Sequence, residues 1–132
     1  MLHEKREEVI LCYMIKRLDD FEVYKMSMEL SDEIWDLVVK WNYFNKDTIG
    51  KQLVRSADSI SANLSEGFGR YHYRETKNFS YYSRGSLFET KTWLTKAFNR
   101  SLIKEDKYNE FLARLDVICI KINNYIKTLN TH

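Results

Sequence analysis

The sequence predicts an all-α protein, an up-down-up-down four-helix bundle. Three observations predict it. The 132 residues include no proline and only four glycines, too little punctuation for the many turns of a sandwich or barrel. Hydrophobic residues make up 44% and charged residues 30%, the balance of a soluble globular domain with a core of its own. Apolar residues then recur at steps of three and four through four long stretches joined by short links.

Residues 1–20 form an N-terminal extension and residues 21–132 the bundle domain. In the extension, Val9, Ile10, Tyr13 and Met14 can share one helical face. The segment reads equally as a short extra helix, as a leader, or as translated sequence upstream of a start at Met14. The apolar run at residues 9–15 is too short to span a membrane. It runs into Lys16 and Arg17 without a small-residue cleavage site, unlike a secretory signal.

Asp19 or Asp20 can cap the first helix by accepting from its free amides. Val23, Ser27, Leu30, Ile34, Leu37 and Trp41 then make its inner face, widened by Met26 and Val38, while Glu29, Asp32, Glu33 and Asp36 leave the rest acidic. The link is expected at residues 42–46, with Asp47 or Thr48 capping the second helix. There Ile49, Leu53, Ala57, Ile60 and Leu64 repeat, beside the small residues Ser56, Ser59, Ser61 and Ala62 that favour close helix packing. Gly67 is expected to end this helix in the left-handed conformation.

The third helix is expected from Tyr73 or Arg74 to about Arg100, with Phe79, Tyr82, Ser86, Trp93 and Ala97 near one face. Gly85 in its middle costs about 1 kcal/mol against alanine, so a close approach to helix two is expected there. The fourth helix opens near Lys104 and Glu105. Tyr108, Phe111, Leu115, Ile118, Ile122, Tyr125 and Leu129 line it, with a second line at Leu112, Cys119 and Ile126. Val117 and Ile120 add apolar surface on further sides. That surplus points either to a contact between copies or to a cover formed by residues 1–18.

Charge is uneven. Residues 1–45 carry −4, residues 46–104 carry +6, and the remainder is neutral. A basic centre with interleaved rings suits nucleic acid, because cations pair with phosphates and rings stack on bases. The candidate binding residues are Arg55, Arg70, Arg74, Lys77, Arg84, Tyr71 and Tyr73. Phe68, Tyr81, Tyr82, Lys51, Lys91, Lys96, Arg100 and Lys104 can extend the patch. The same residue types favour protein interfaces, and an acidic first helix could meet a basic third helix head to tail.

No set of residues assembles into catalytic machinery. None of His3, His72 and His132 follows a glutamate by three positions, the bundle pattern for a di-metal site. Gly67-Phe68-Gly69 lacks the rest of a phosphate loop. No enzyme activity, metal or cofactor is therefore expected. Cys12 and Cys119 have no ligand spacing and fit a reducing, cytoplasmic setting. Asn63, Glu66 and Glu89 suggest a polar network with Arg55 or Arg70 that fixes helix register, rather than a ligand pocket.

Several of these residues fall into a pattern of their own. Gln52-Leu53-Val54-Arg55-Ser56-Ala57, Ser59-Ile60, Asn63-Leu64-Ser65-Glu66-Gly67-Phe68-Gly69-Arg70, Glu75, Phe79 and Gly85-Ser86-Leu87-Phe88-Glu89 follow in order. Together they resemble the bacterial four-helix bundle family named after the protein encoded in the 23S ribosomal RNA intervening sequence. That family includes accessory-variability-determinant-like proteins of diversity-generating retroelements. The resemblance covers residues 21–129. It implies a small helical subunit that assembles into a ring, usually a pentamer, and no known reaction. It also implies Asn63, Glu66, Gly67, Gly69, Gly85 and Glu89 as structural motif residues. A second copy and a reverse transcriptase docked by an accessory scaffold are the partners it suggests, beside the RNA or DNA that the basic centre suggests. Relatives commonly carry proline where this chain has Asn45 and Ser61, so a straighter second helix is expected here.

Overall fold

A computed structural model describes residues 5–6, 17–70 and 72–130. Four long helices carry the fold, and no strand occurs among the described residues. They are α1 (Glu22–Val38), α2 (Lys51–Phe68), α3 (Tyr73–Asn99) and α4 (Glu105–Leu129). Neighbours in sequence pack side by side, α4 closes against α1, and the closest pairing is α2 with α3. Helices α1 and α3 thus occupy opposite corners.

The expected faces of α1, α2 and α4 are the buried ones. Leu30 and Ile34, then Leu53, Ala57, Ile60 and Leu64, then Phe111, Leu115, Ile118 and Ile122 fill one core. On α3 the core side is rotated from the expected one. Thr76, Ser80, Ser83, Leu87, Thr90, Leu94 and Ala97 are buried, while Tyr82 is exposed and Phe79 and Trp93 only half-buried. The reason is the hydroxyl seam between α2 and α3. Ser83 Oγ donates to the Ile60 carbonyl at 2.7 Å, and the hydroxyls of Thr90 and Ser56 meet at 3.0 Å. Ser80 satisfies its hydroxyl on the Thr76 carbonyl of its own helix. Small side chains whose polar atoms are satisfied can be buried cheaply and let two helices approach. Every buried side-chain nitrogen and oxygen among the described residues has a partner.

Two glycines exchange roles. Gly67 does not end α2 in a left-handed turn. It lies inside the helix, and no glycine among the described residues has positive φ. A Cβ on Gly67 would stand 2.8 Å from Phe79 Cβ and 3.1 Å from the Thr76 carbonyl oxygen of α3, so the two helices approach closely here. Gly85 is exposed, and a Cβ there would meet nothing within 4 Å. Its expected packing against α2 is not found.

Helix ends differ too. Neither Asp19 nor Asp20 caps α1; its N-cap is Phe21, whose ring stacks 5.4 Å from Phe68 of α2 and 4.8 Å from Tyr125 of α4. Asn42, rather than Asp47 or Thr48, starts the second helical run by accepting from the Asn45 amide at 3.0 Å. A helical turn (Tyr43–Asn45) and a π turn (Lys46–Gly50) lead from there into α2.

Helix α3 ends where expected, at Asn99 with Arg100 as its C-cap, but the form of the cap was not foreseen. The Leu102 amide bonds the Ala97 carbonyl at 2.9 Å and the Ser101 amide bonds the Phe98 carbonyl at 3.0 Å. This is the paired C-cap that wants a left-handed residue, and Ser101 fills that place at φ 63°. A serine is disfavoured there by roughly 1–2 kcal/mol. Ser101→Gly is expected to raise stability by about 1 kcal/mol, read as a higher denaturant midpoint at unchanged slope.

Candidate nucleic-acid interface

The candidate cations separate into two groups. Arg55 donates to Gln52 at 2.7 Å and pairs with Glu89 of α3 at 3.1 Å, where Trp93 also donates. Arg70 pairs with Glu66 four residues back and lies 5.0 Å from the centre of the Phe79 ring. Carboxylates therefore neutralise both arginines. Asn63 donates back to the Ser59 carbonyl of its own helix. The network expected around Glu66 and Glu89 is present as surface pairs, one of which ties α2 to α3.

The second group lies in the groove between α3 and α4. Lys77 donates to Asn130 at 2.9 Å, Arg84 to Asn123 at 2.8 Å, and Lys91 to Asp116 at 3.3 Å. Each step is seven residues forward on α3 and seven back on α4, the register of two antiparallel helices. Two turns of helix set neighbouring cations about 10.5 Å apart. Asn130 and Asn123 are neutral, so Lys77 and Arg84 are held in place with their charge uncompensated by these partners.

Rings accompany the row. The Arg84 guanidinium sits 5.0 Å from the Tyr81 ring centre and the Lys91 ammonium 5.8 Å from that of Phe88. Tyr81 and Phe88, also seven apart, are 39% and 54% exposed. A cation over a ring leaves the other ring face available for stacking. Two clefts open on this side. Tyr73, Arg74, Lys77, Asn78, Leu129 and Asn130 line one of about 370 Å³. Phe88, Lys91, Thr92, Thr95 and Lys96 line another of about 410 Å³.

Arg74 is exposed beside the first cleft and has no hydrogen-bond or ion-pair partner among the described residues. Tyr73 is 51% exposed on its rim. Tyr71 lies outside the described residues. Phe68 is withdrawn into the stack with Phe21. Sequence reasoning missed Asn123 and Asn130, whose seven-residue spacing matches that of the cations they hold.

The opposite corner is acidic. Glu29, Asp32 and Asp36 are exposed on α1. Partial burial first, and the Asp32 carboxylate second, raise Asp58 of α2 above the ordinary aspartate pKa. The described residues contain no cluster of His, Cys, Asp and Glu able to hold a metal, and no helix among them is long and apolar enough to cross a membrane.

Comparison with curated proteins finds no match. Among solved structures, a protein of unknown function from the S23 ribosomal protein family of Bacteroides thetaiotaomicron shares the fold, with a TM-score of 0.72 at 23% identity. The match covers 80% of this chain and 98% of that one. The family model described as 23S rRNA-intervening sequence protein matches residues 19–124. That span takes in all of α1, α2 and α3 and most of α4, and the chain therefore belongs to the 23S rRNA-intervening sequence protein family.

Proposed function

We propose that this chain is a non-catalytic, self-associating bundle that binds nucleic acid, RNA foremost, along the α3–α4 groove. The observation that carries the reading is the pair Lys77 and Arg84, seven residues apart in the groove and held by neutral asparagines, with Arg74 beside them and exposed rings along the same row. Such a row follows a phosphate backbone, while the rings offer sequence-tolerant stacking. Arg55, Arg70 and Lys91 contribute less to the contact surface because each already faces a carboxylate. Self-association is supported by the acidic surface of α1 and the basic surface of α3 at opposite corners, an arrangement suited to head-to-tail contact. Repeating the row around an assembly multiplies a weak contact.

The test is titration of labelled single-stranded RNA at two salt concentrations, with protein mass followed by light scattering. Binding is expected at low salt and should fall steeply as salt rises, with a log–log slope of about −0.7 per phosphate contacted. Arg74→Ala, Lys77→Ala and Arg84→Ala should each weaken it and make the slope shallower. Arg55→Ala should leave it nearly unchanged. Absence of low-salt binding, or equal affinity of the row variants and the parent chain, overturns the reading.

A further inference from the structure

The side of the bundle opposite the α3–α4 groove carries a cleft of another kind. Between α1 and α2 it has a volume of about 300 Å³, at the lower end of the range in which clefts hold small ligands, about 300–1,000 Å³. Its walls are apolar. Trp35, Val38 and Val39 come from α1, Gly50 from the π turn and Val54 from α2.

The sequence builds this hollow in two steps. Gly50 closes the π turn against α1. A Cβ there would stand 2.7 Å from Val38 Cγ1 and 3.0 Å from the Asn45 carbonyl oxygen, so the turn contributes bare backbone to the cleft. Trp35 and Val39, four residues apart and so on one side of α1, then stand 54% and 45% exposed. Apolar side chains gathered around a hollow gain by being covered.

Charge decides what the cover carries. Lys46, Lys51 and Arg55 supply the polar part of the lining, and no carboxylate lines the cleft. Lys51 pairs with Asp47 at 3.6 Å and Arg55 with Glu89 at 3.1 Å. Lys46 is exposed, and its side chain has no hydrogen-bond or ion-pair partner among the described residues. One cation is therefore left over. Asp32 and Asp36 of α1 lie outside the lining and disfavour an occupant with several negative charges. A single negative charge on an apolar body matches both walls and rim.

We propose that the α1–α2 cleft binds an amphiphilic monocarboxylate, its hydrocarbon part against Trp35, Val39 and Val54 and its carboxylate beside Lys46. The site goes beyond the nucleic-acid reading and does not rest on it, since none of Arg74, Lys77 and Arg84 lines the cleft. Decanoate is the probe, and decylammonium, with the same chain and the opposite charge, is the control. Each is titrated below its micelle concentration into the isotope-labelled full chain while backbone amide resonances are recorded. Decanoate is expected to saturate one site, with shifts centred on Val38, Val39, Gly50 and Val54. It should bind about fivefold tighter than decylammonium, the ratio that one exposed ion pair gives. Val39→Asp, at an exposed position, should weaken decanoate about tenfold or more by setting a charge against its chain. Lys46→Glu should reverse the order of the two probes. Shifts that fail to saturate, or that scatter over the bundle, overturn the proposal. So do equal affinities for the two probes, and so does a decanoate affinity unmoved by either substitution.

Discussion

Adding one methyl group at Gly67 is expected to lower stability by about 1–3 kcal/mol, the usual effect of overpacking a close helix contact. The new Cβ would stand 2.8 Å from Phe79 Cβ and 3.1 Å from the Thr76 carbonyl oxygen. Both atoms are fixed to the α3 backbone, so no side-chain rotation relieves the clash and the helices must separate. Separation would also stretch the nearby Ser83–Ile60 hydrogen bond. The same methyl at Gly85 meets nothing within 4 Å and should raise stability by about 1 kcal/mol through helix propensity alone. Denaturant unfolding of Gly67→Ala and Gly85→Ala should therefore move in opposite directions from the parent midpoint. Equal shifts would contradict the packing of α2 on α3 described above.

Truncating Phe111 is expected to have the largest effect of any single change, a loss of about 3–5 kcal/mol for Phe111→Ala. The ring is fully buried near the first turns of α4. Its neighbours in the core are helical side chains held on four elements, so the cavity cannot collapse without moving a helix. The Lys107 ammonium, 4.9 Å from the ring centre, would lose its aromatic partner as well. Against a total of about 5–15 kcal/mol for a domain, the variant should sit close to its unfolding threshold. Phe111→Leu, which keeps most of the volume, should cost under about 1.5 kcal/mol. Urea melts of the two variants measure the difference.

The positions of the helices were legible because apolar periodicity is strong in α1, α2 and α4. Leu53, Ala57, Ile60 and Leu64 leave one orientation available to α2, and Phe111, Leu115, Ile118 and Ile122 do the same for α4. Helix α3 misled because its inner side is built from Thr76, Ser80, Ser83 and Thr90. These hydroxyls bond to backbone carbonyls or to another hydroxyl, which makes polar residues behave as small core residues. Periodicity weighted by hydrophobicity selected the rings instead, of which Tyr82 is exposed and Phe79 and Trp93 lie half-buried at the edge of the core. The glycines were misassigned for a related reason. A glycine near a predicted helix end and a glycine in a helix middle each have two explanations, and only the neighbouring helix decides between them.

The candidate surface was legible as composition and not as arrangement. The basic excess of residues 46–104 is visible in the chain. That Glu89 neutralises Arg55 depends on a contact 34 positions away. That Asn123 and Asn130 support Arg84 and Lys77 depends on the vertical offset of α4 against α3. A single sequence carries no record of that offset. The Glu66–Arg70 pair is the exception, since a separation of four on one helix announces it.

The seven-residue repeat of the groove has a consequence for anything lying in it. Ring, cation and acceptor recur as Tyr81, Arg84 and Asn123, then as Phe88, Lys91 and Asp116. A polymer displaced by one repeat, about 10.5 Å, meets a ring and a cation again, but a cation already paired with a carboxylate. Such a track would grip an anionic strand more firmly beside Arg84 than beside Lys91, which gives the groove a polarity along its length.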